Sequence, residues 1–326
     1  LTVSPPVAQY QPIVHRLALL MALVSLAPIG LGALVTTKDA GMAFRDWPTS
    51  DGQGMFAYPW LRATGEKFLE HAHRLAGVLI GCATMAFCAA VWLRDVRTWA
   101  RCLAAVVLLA VVAQGILGGM RVLQDEKGLA FLHGSLASLV FALMCALCTI
   151  TSREWLQAGP RAAAEVPAVP LVASLGASVA LFIQYLLGGL LRHQGRVLFE
   201  HLGFAFVAAL VVIWLSLSTA TSGLRWLNRL GAALGCLMLL QLGLGAGAWI
   251  TRFGLGSYVA VYGSAAQVLF RTSHVLSGLF LFAACVVLAV RIARLRSLAL
   301  ASRKAMHGQP MTPGFSGTLT AAGGAS

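Results

Sequence analysis

The sequence predicts an all-α membrane protein of eight transmembrane helices, arranged as two four-helix bundles related by a pseudo-twofold axis. Three observations carry this expectation. The 326-residue chain is 59% hydrophobic and only 11% charged, too few charges to clothe a soluble domain of that size. Apolar stretches of about 20 residues, the length that crosses a bilayer, recur along it. A short phrase also repeats at the ends of alternate stretches, as duplicated helical hairpins would leave it.

The apolar stretches fall at 17–35, 70–93, 100–121, 130–151, 168–191, 198–219, 229–250 and 273–293. The chain divides accordingly into a cytoplasmic tail 1–16, a first half 17–151, a cytoplasmic linker 152–167, a second half 168–293 and a cytoplasmic tail 294–326. The longest gap, 36–69, is too short for an independent core. Residues 1–16 and 300–326, rich respectively in proline and in small polar residues, read as disordered tails.

A net charge of +13 suggests nucleic acid at first sight, but the positive residues sit at span ends and no groove-reading motif is present. With a cytoplasmic N-terminus, the inner segments carry Arg16, Arg94, Arg97, Arg101, Arg153, Arg161, Arg225, Arg229, Arg291, Arg294, Arg296, Arg303 and Lys304. Most of the acids then lie in the outer segments, so both termini are expected inside. The N-terminus shows neither a cleavable signal pattern nor an Arg/Ser-rich transit peptide, which points to a bacterial plasma membrane. All seven cysteines fall in or beside the spans, so no disulfide framework is expected on the outer face. Cys145-x-x-Cys148 reads as a pair of small packing residues.

The repeated phrase is Pro28-x-x-Leu31-Gly32-Ala33 in the first span, Gln114-x-x-Leu117-Gly118-Gly119 in the third, Gln184-x-x-Leu187-Gly188-Gly189 in the fifth and Gln241-x-x-Leu244-Gly245-Ala246 in the seventh. The even spans answer with His73, His133, His201 and His274, each expected in about the first turn and near the outer end. Two halves with even numbers of spans share one orientation, so their axis should run along the membrane normal.

Ionisable residues within a span are costly and default to function. Each half supplies two histidines on separate helices, where a bare zinc or iron site needs more ligands close together. Facing imidazoles across a four-helix bundle suit a porphyrin iron. Glycines 32, 118, 119, 188, 189, 245 and 247 are expected to leave room for the macrocycle. Arg74, Arg121, Arg192, Arg252 and Arg271 are candidates either for its propionates or for lipid headgroups. His71, two residues from His73, is expected to face away from it. His15, His193 and His307 are expected in solvent.

The halves differ at one point. Glu70 and His73 are three apart and share a helix face, whereas the matching position before His201 is Leu198. Glu70 is either a chemical group beside the first pair or a charge favoured by the helix N-terminus. The loop 36–69, with Trp47, Tyr58 and Trp60, is either an interfacial belt or a lid.

Glu70-x-x-His73-Arg74, His133, His201 and His274 together resemble the heme A synthase family. Asp46-Trp47-Pro48, Gln114-Gly115-Ile116-Leu117-Gly118-Gly119 and the run from Gln184 to Arg192-His193 add to the likeness, over about 30–290. The resemblance implies oxidation of the C8 methyl of heme O to a formyl group, for terminal oxidase assembly. It implies heme O on His73 and His133, with Glu70 as catalytic residue, accepting a proton or stabilising positive charge. It further implies a heme b cofactor on His201 and His274, near the outer face. The lipid bilayer, a heme O synthase and an electron acceptor are the expected partners, and nucleic acid is not. One departure is that many members carry paired cysteines in the outer loops, and this chain has none there. The competing readings are a bis-heme cytochrome exchanging electrons with quinone, which gives Glu70 no task, and a transporter, which leaves four aligned histidines unexplained.

Overall fold

The computed structural model describes residues 9–159 and 166–307, with the side chains of 305–307 excepted. Among the described residues, eight helices are long and apolar enough to cross a membrane, and the chain is a multi-pass membrane protein. They are α1 (Pro12–Thr37), α2 (Gly65–Arg94), α3 (Thr98–Gln124), α4 (Lys127–Ile150), α5 (Val169–Gln194), α6 (Leu198–Ala220), α7 (Arg225–Phe253) and α8 (Ala265–His307). A short helix, Arg153–Gln157, capped by the Ser152 hydroxyl, follows α4.

Each helix matches one apolar stretch, and most overrun it. A helix needs apolar residues only over the hydrocarbon thickness, so polar turns extend it beyond that depth. The overrun is largest in α8, which begins at Ala265 and continues to His307, through part of the expected C-terminal tail. Arg294 stacks over Trp155 and Arg296 donates to the Val166 carbonyl at 3.0 Å, which anchors this extension. α1 likewise starts inside the expected N-terminal tail, at Pro12, where a proline loses no helical hydrogen bond. The remainder of both tails, residues 1–8 and 308–326, lies outside the described residues.

α1, α2, α3 and α4 pack in cyclic order, and so do α5, α6, α7 and α8. α4 and α1 meet α5 and α8 between the two sets. One buried cluster joins Val14, Met21, Phe87, Val107, Met144 and Leu147 of α1–α4. A second joins Ala173, Val212, Leu227, Leu281 and Ile292 of α5–α8 with Phe141 of α4. Large apolar side chains cover the outside, among them Leu93, Leu109, Phe206 and Leu239. A water-soluble monomer does not expose contiguous apolar surface on this scale, whereas lipid covers it without cost.

The two ends of the molecule differ. At the end where α1 starts and α8 finishes, Arg97 pairs with Asp95 at 2.6 Å and donates to the Ile150 carbonyl at 2.9 Å, fastening the α2–α3 turn to α4. At the other end lie the two long connections, 38–64 and 254–264. The first contains 3-10 turns at Ala40–Met42 and Trp60–Arg62 and folds back over the end of α2. Tyr262 donates its hydroxyl to Asp39, joining the two connections.

Candidate functional site

The four histidines of the even helices lie toward the long-loop end as two close pairs. The rings of His73 and His133 are 6.2 Å apart between centroids and 86° apart in plane. Those of His201 and His274 are 6.3 Å and 88° apart. The expectation of the first turn fits only His201, the fourth residue of α6. His73, His133 and His274 lie about two turns into their helices, because α2, α4 and α8 begin earlier than their apolar stretches.

The repeated phrase explains how each ring is held. An added Cβ at Gly32, Gly118, Gly188 or Gly245 would stand 3.0, 3.2, 3.0 or 2.9 Å from Cε1 of His73, His133, His201 or His274. Each histidine therefore rests on the glycine of the preceding helix. The sequence suggests these glycines as space for a macrocycle; in the structure each is the seat of a histidine ring. Gly119, Gly189 and Gly247 are likewise covered by the rings of Trp47, Phe131 and Phe270.

Polar contacts repeat as well. In each pair one histidine binds a carbonyl through Nδ1: His73 to Pro28 at 2.9 Å and His274 to Gln241 at 3.2 Å. The other histidine has a glutamine amide on its own carbonyl: Gln114 to His133 at 3.2 Å and Gln184 to His201 at 2.9 Å. The roles of Gln114 and Gln184 were not foreseen, though their recurrence at one position of the phrase was the available signal. A carbonyl on Nδ1 fixes the proton there and leaves Nε2 as the free ligand nitrogen, the usual arrangement behind a metal-bound histidine.

These separations fit a metal held between two rings. With metal–nitrogen bonds of about 2.0 Å, two imidazoles at this spacing would have room to hold one ion between them. Among the described residues, no group of three or more His, Cys, Asp or Glu is placed to hold a bare ion. Two axial imidazoles are a complete protein ligand set only where a macrocycle supplies the equatorial donors.

Beside the first pair lie a buried carboxylate and its loop, whereas the position matching Glu70 before His201 is Leu198. Glu70 is 3% exposed. Its Oε1 meets Arg74 Nη2 at 2.7 Å and its Oε2 accepts the Phe44 amide at 3.2 Å. Arg74 Nη1 donates to the carbonyls of Asp46 at 3.0 Å and Thr49 at 2.7 Å. The Phe44 ring lies under the Arg74 guanidinium and edge-on to Tyr58. Trp47 covers Gly119, next to the glycine that seats His133. His71, turned away from His73 as expected, is buried beneath the same loop with Nδ1 3.0 Å from Ser50 Oγ. The Asp46 carboxylate caps the loop, accepting the amides of Asp51 at 3.0 Å and Gly52 at 2.8 Å. Burial pulls the Asp46 carboxyl up, but bonds from Thr49 and from these amides outweigh it and hold it below the ordinary value of 3.8.

The structure gives the candidate arginines protein partners. Arg74 is committed to Glu70 and the loop, Arg121 donates to the Gly41 carbonyl, and Arg192 donates to the Ala33 carbonyl and to Thr37 Oγ1. Arg271 lies among Arg252, Tyr262 and Asp39. Two histidines expected in solvent are partly buried: His15 meets Thr151 at 3.2 Å, and His193 faces Gly134. Apolar sequence context did not reveal these neighbours because they come from other helices. The His307 side chain lies outside the described residues. All seven cysteines are free.

Comparison with curated proteins finds a heme A synthase of Rhizobium rhizogenes, 34% identical over 140 residues. The matched stretch covers 40% of this chain and 38% of that protein's length. No family model matches the chain.

Proposed function

We propose that this protein is a heme A synthase, converting the C8 methyl of heme O to a formyl group. The observation that carries the reading is the recurring histidine pair, with a buried carboxylate and its loop at the first copy where the second has Leu198. The partial likeness to a heme A synthase supports it. In this reading the two sets of four helices are related by a pseudo-twofold axis along the membrane normal. The termini lie in the cytoplasm of a bacterium, and the paired histidines lie near the outer face.

His73 and His133 would hold the substrate heme O, and His201 and His274 a heme b cofactor. Bound there, heme b would supply one-electron transfer. The Pro28 and Gln241 carbonyls orient the rings of His73 and His274, and Gln114 and Gln184 tie the backbone at His133 and His201 to the preceding helix. The 44–50 loop, pinned by Arg74, shields the first pair from water. Both Glu70 oxygens are engaged, so its contribution in the closed state is to hold Arg74 and that loop. Action as a proton acceptor requires the Arg74 pair to part. Turning a methyl into a formyl group removes four electrons and adds one oxygen atom, so the reaction needs an electron acceptor.

Pigments extracted from cells that supply heme O test the reading. Expression of this chain should yield heme A. Bound heme with no heme A would instead indicate the cytochrome, and no heme at all would sink both.

A further inference from the structure

One helix, α5, touches the second histidine pair and also the α1 and α4 helices beside the first. On the second-pair side, Gln184 donates to the His201 carbonyl at 2.9 Å and Gly188 seats the His201 ring. One turn further on, the same helix engages the first half. Phe131, two residues before His133, covers Gly189, where an added Cβ would stand 3.0 Å from the ring. Arg192 Nη2 donates to the Ala33 carbonyl and, at 2.9 Å, to Thr37 Oγ1. Ala33 directly follows Gly32, the seat of His73. Thr272, two residues before His274, reaches Thr37 Oγ1 at 3.3 Å from α8. The carbonyl and hydroxyl that receive Arg192 thus sit on the turn of α1 that supports the first pair.

We infer that Arg192 is a positioning residue for the first pair, supplied by the second half, and that through it the filling of the second pair tightens the first. This rests on the proposal that both pairs bind heme. The physical basis is contiguity. Iron between His201 and His274 fixes both rings, and His201 fixes Gln184 and Gly188. α5 then moves as a rigid rod, and Arg192 transmits its position to α1. Two sites that bias one element are coupled, and the coupling is reciprocal. Arg192 is half-buried at a helix–helix contact, where its donors meet the Ala33 carbonyl and Thr37 Oγ1.

The test is a double-mutant cycle on the full-length protein in detergent, with ferric protoheme as probe and low-spin absorbance as readout. First-pair affinity is measured with the second pair filled and again in His201→Ala. In the parent protein, His201→Ala should weaken first-pair binding by at least about fivefold, the lower end of ordinary coupling. In Arg192→Leu the same change should cost about twofold or less, and in Thr37→Val, which keeps the Ala33 bond, an intermediate factor. A purely structural role for Arg192 would weaken first-pair binding but leave the ratio unchanged, which would overturn the inference. A ratio near one in the parent protein would overturn it as well. If Arg192→Leu does not fold, a parent-like ratio in Thr37→Val overturns it instead. Failure of the heme reading itself looks different: neither His73→Ala nor His201→Ala would then change the spectrum.

Discussion

Glu70 and Arg74 stand one turn apart on α2 and form a buried ion pair, 2.7 Å between Oε1 and Nη2, that holds the 44–50 loop against the helix. A buried pair is weak evidence for stability, but breaking one by removing a single partner costs about 3–5 kcal/mol, because the other charge is left uncompensated. Here the cost falls on the loop. Glu70→Gln keeps an acceptor for the Phe44 amide and removes the charge opposite Arg74. The variant should still bind heme, release the loop to protease within 44–63, and lower heme A yield by at least about tenfold, within the range of a lost general base or a lost shield. Arg74→Gln should do the same, and the double variant should be less than additive. Full heme A yield in Glu70→Gln would remove Glu70 from the reaction.

The pairs should be separable. His201→Ala or His274→Ala should abolish bound heme b and leave a folded membrane protein with heme retained at the first pair on addition. His73→Ala or His133→Ala should spare the heme b signal. Absorption spectra of the purified variants decide this. Undiminished heme b in both second-pair variants would contradict the assignment.

The glycine seats give a graded prediction. Gly118→Ala would place Cβ 3.2 Å from His133 Cε1, and Gly245→Ala would place it 2.9 Å from His274 Cε1. Overpacking of this kind costs about 1–3 kcal/mol. Each substitution should speed heme loss from its own pair by roughly tenfold, with Gly245→Ala the more severe, because a tilted ring would no longer present Nε2 to a bound heme. Transfer of heme to an acceptor protein measures this. Equal loss from both pairs would show a global effect instead.

Much of this was legible in the sequence, for identifiable reasons. Helix placement follows from hydropathy alone, since lipid demands an apolar exterior wherever the chain crosses. The histidine pairs were legible because one residue type recurs at one position of the repeated phrase's partner helices four times. The partners of Arg74, Arg121 and Arg192 were not. Their acceptors are largely backbone carbonyls, of Asp46, Thr49, Gly41 and Ala33, and every residue has a carbonyl. The glycines were read as space when they are contact surfaces, because a missing side chain does not show what comes to rest on it.

The loop should also respond to acid in a defined direction. The folded Asp46 carboxyl lies below its ordinary 3.8, despite the opposing effect of burial. A group depressed in the folded state stabilises it above the unfolded value and loses that contribution as pH falls through the folded value. Asp46 should therefore keep the loop closed across neutral and mildly acidic pH, and release it only below the ordinary carboxylate range. Hydrogen exchange of the Asp51 and Gly52 amides across pH reports this. Asp46→Asn should remove the acid step, and loss of protection already near pH 6 would point to a group other than this carboxylate.

Trp47 is the residue through which the loop should act on the first pair. Its ring lies on Gly119, beside Gly118, which seats His133. The loop is held to α2 by Arg74 on either side of it, at the carbonyls of Asp46 and Thr49. An indole in this position fills the space above α3 and bars water and exchange from that side. Trp47→Ala removes the ring without touching either histidine or the Glu70–Arg74 pair, whereas Trp47→Phe keeps an aromatic surface. Trp47→Ala should accelerate heme exchange at the first pair by roughly tenfold or more, consistent with about 3–5 kcal/mol for loss of a packed Trp, part of it spent on the loop itself. Exchange at the second pair should not change, and Trp47→Phe should restore most of the retention. Stopped-flow heme transfer, with the second pair as internal control, reads both rates in one sample. Unchanged first-pair exchange in Trp47→Ala would show that the loop is a surface belt and not a lid.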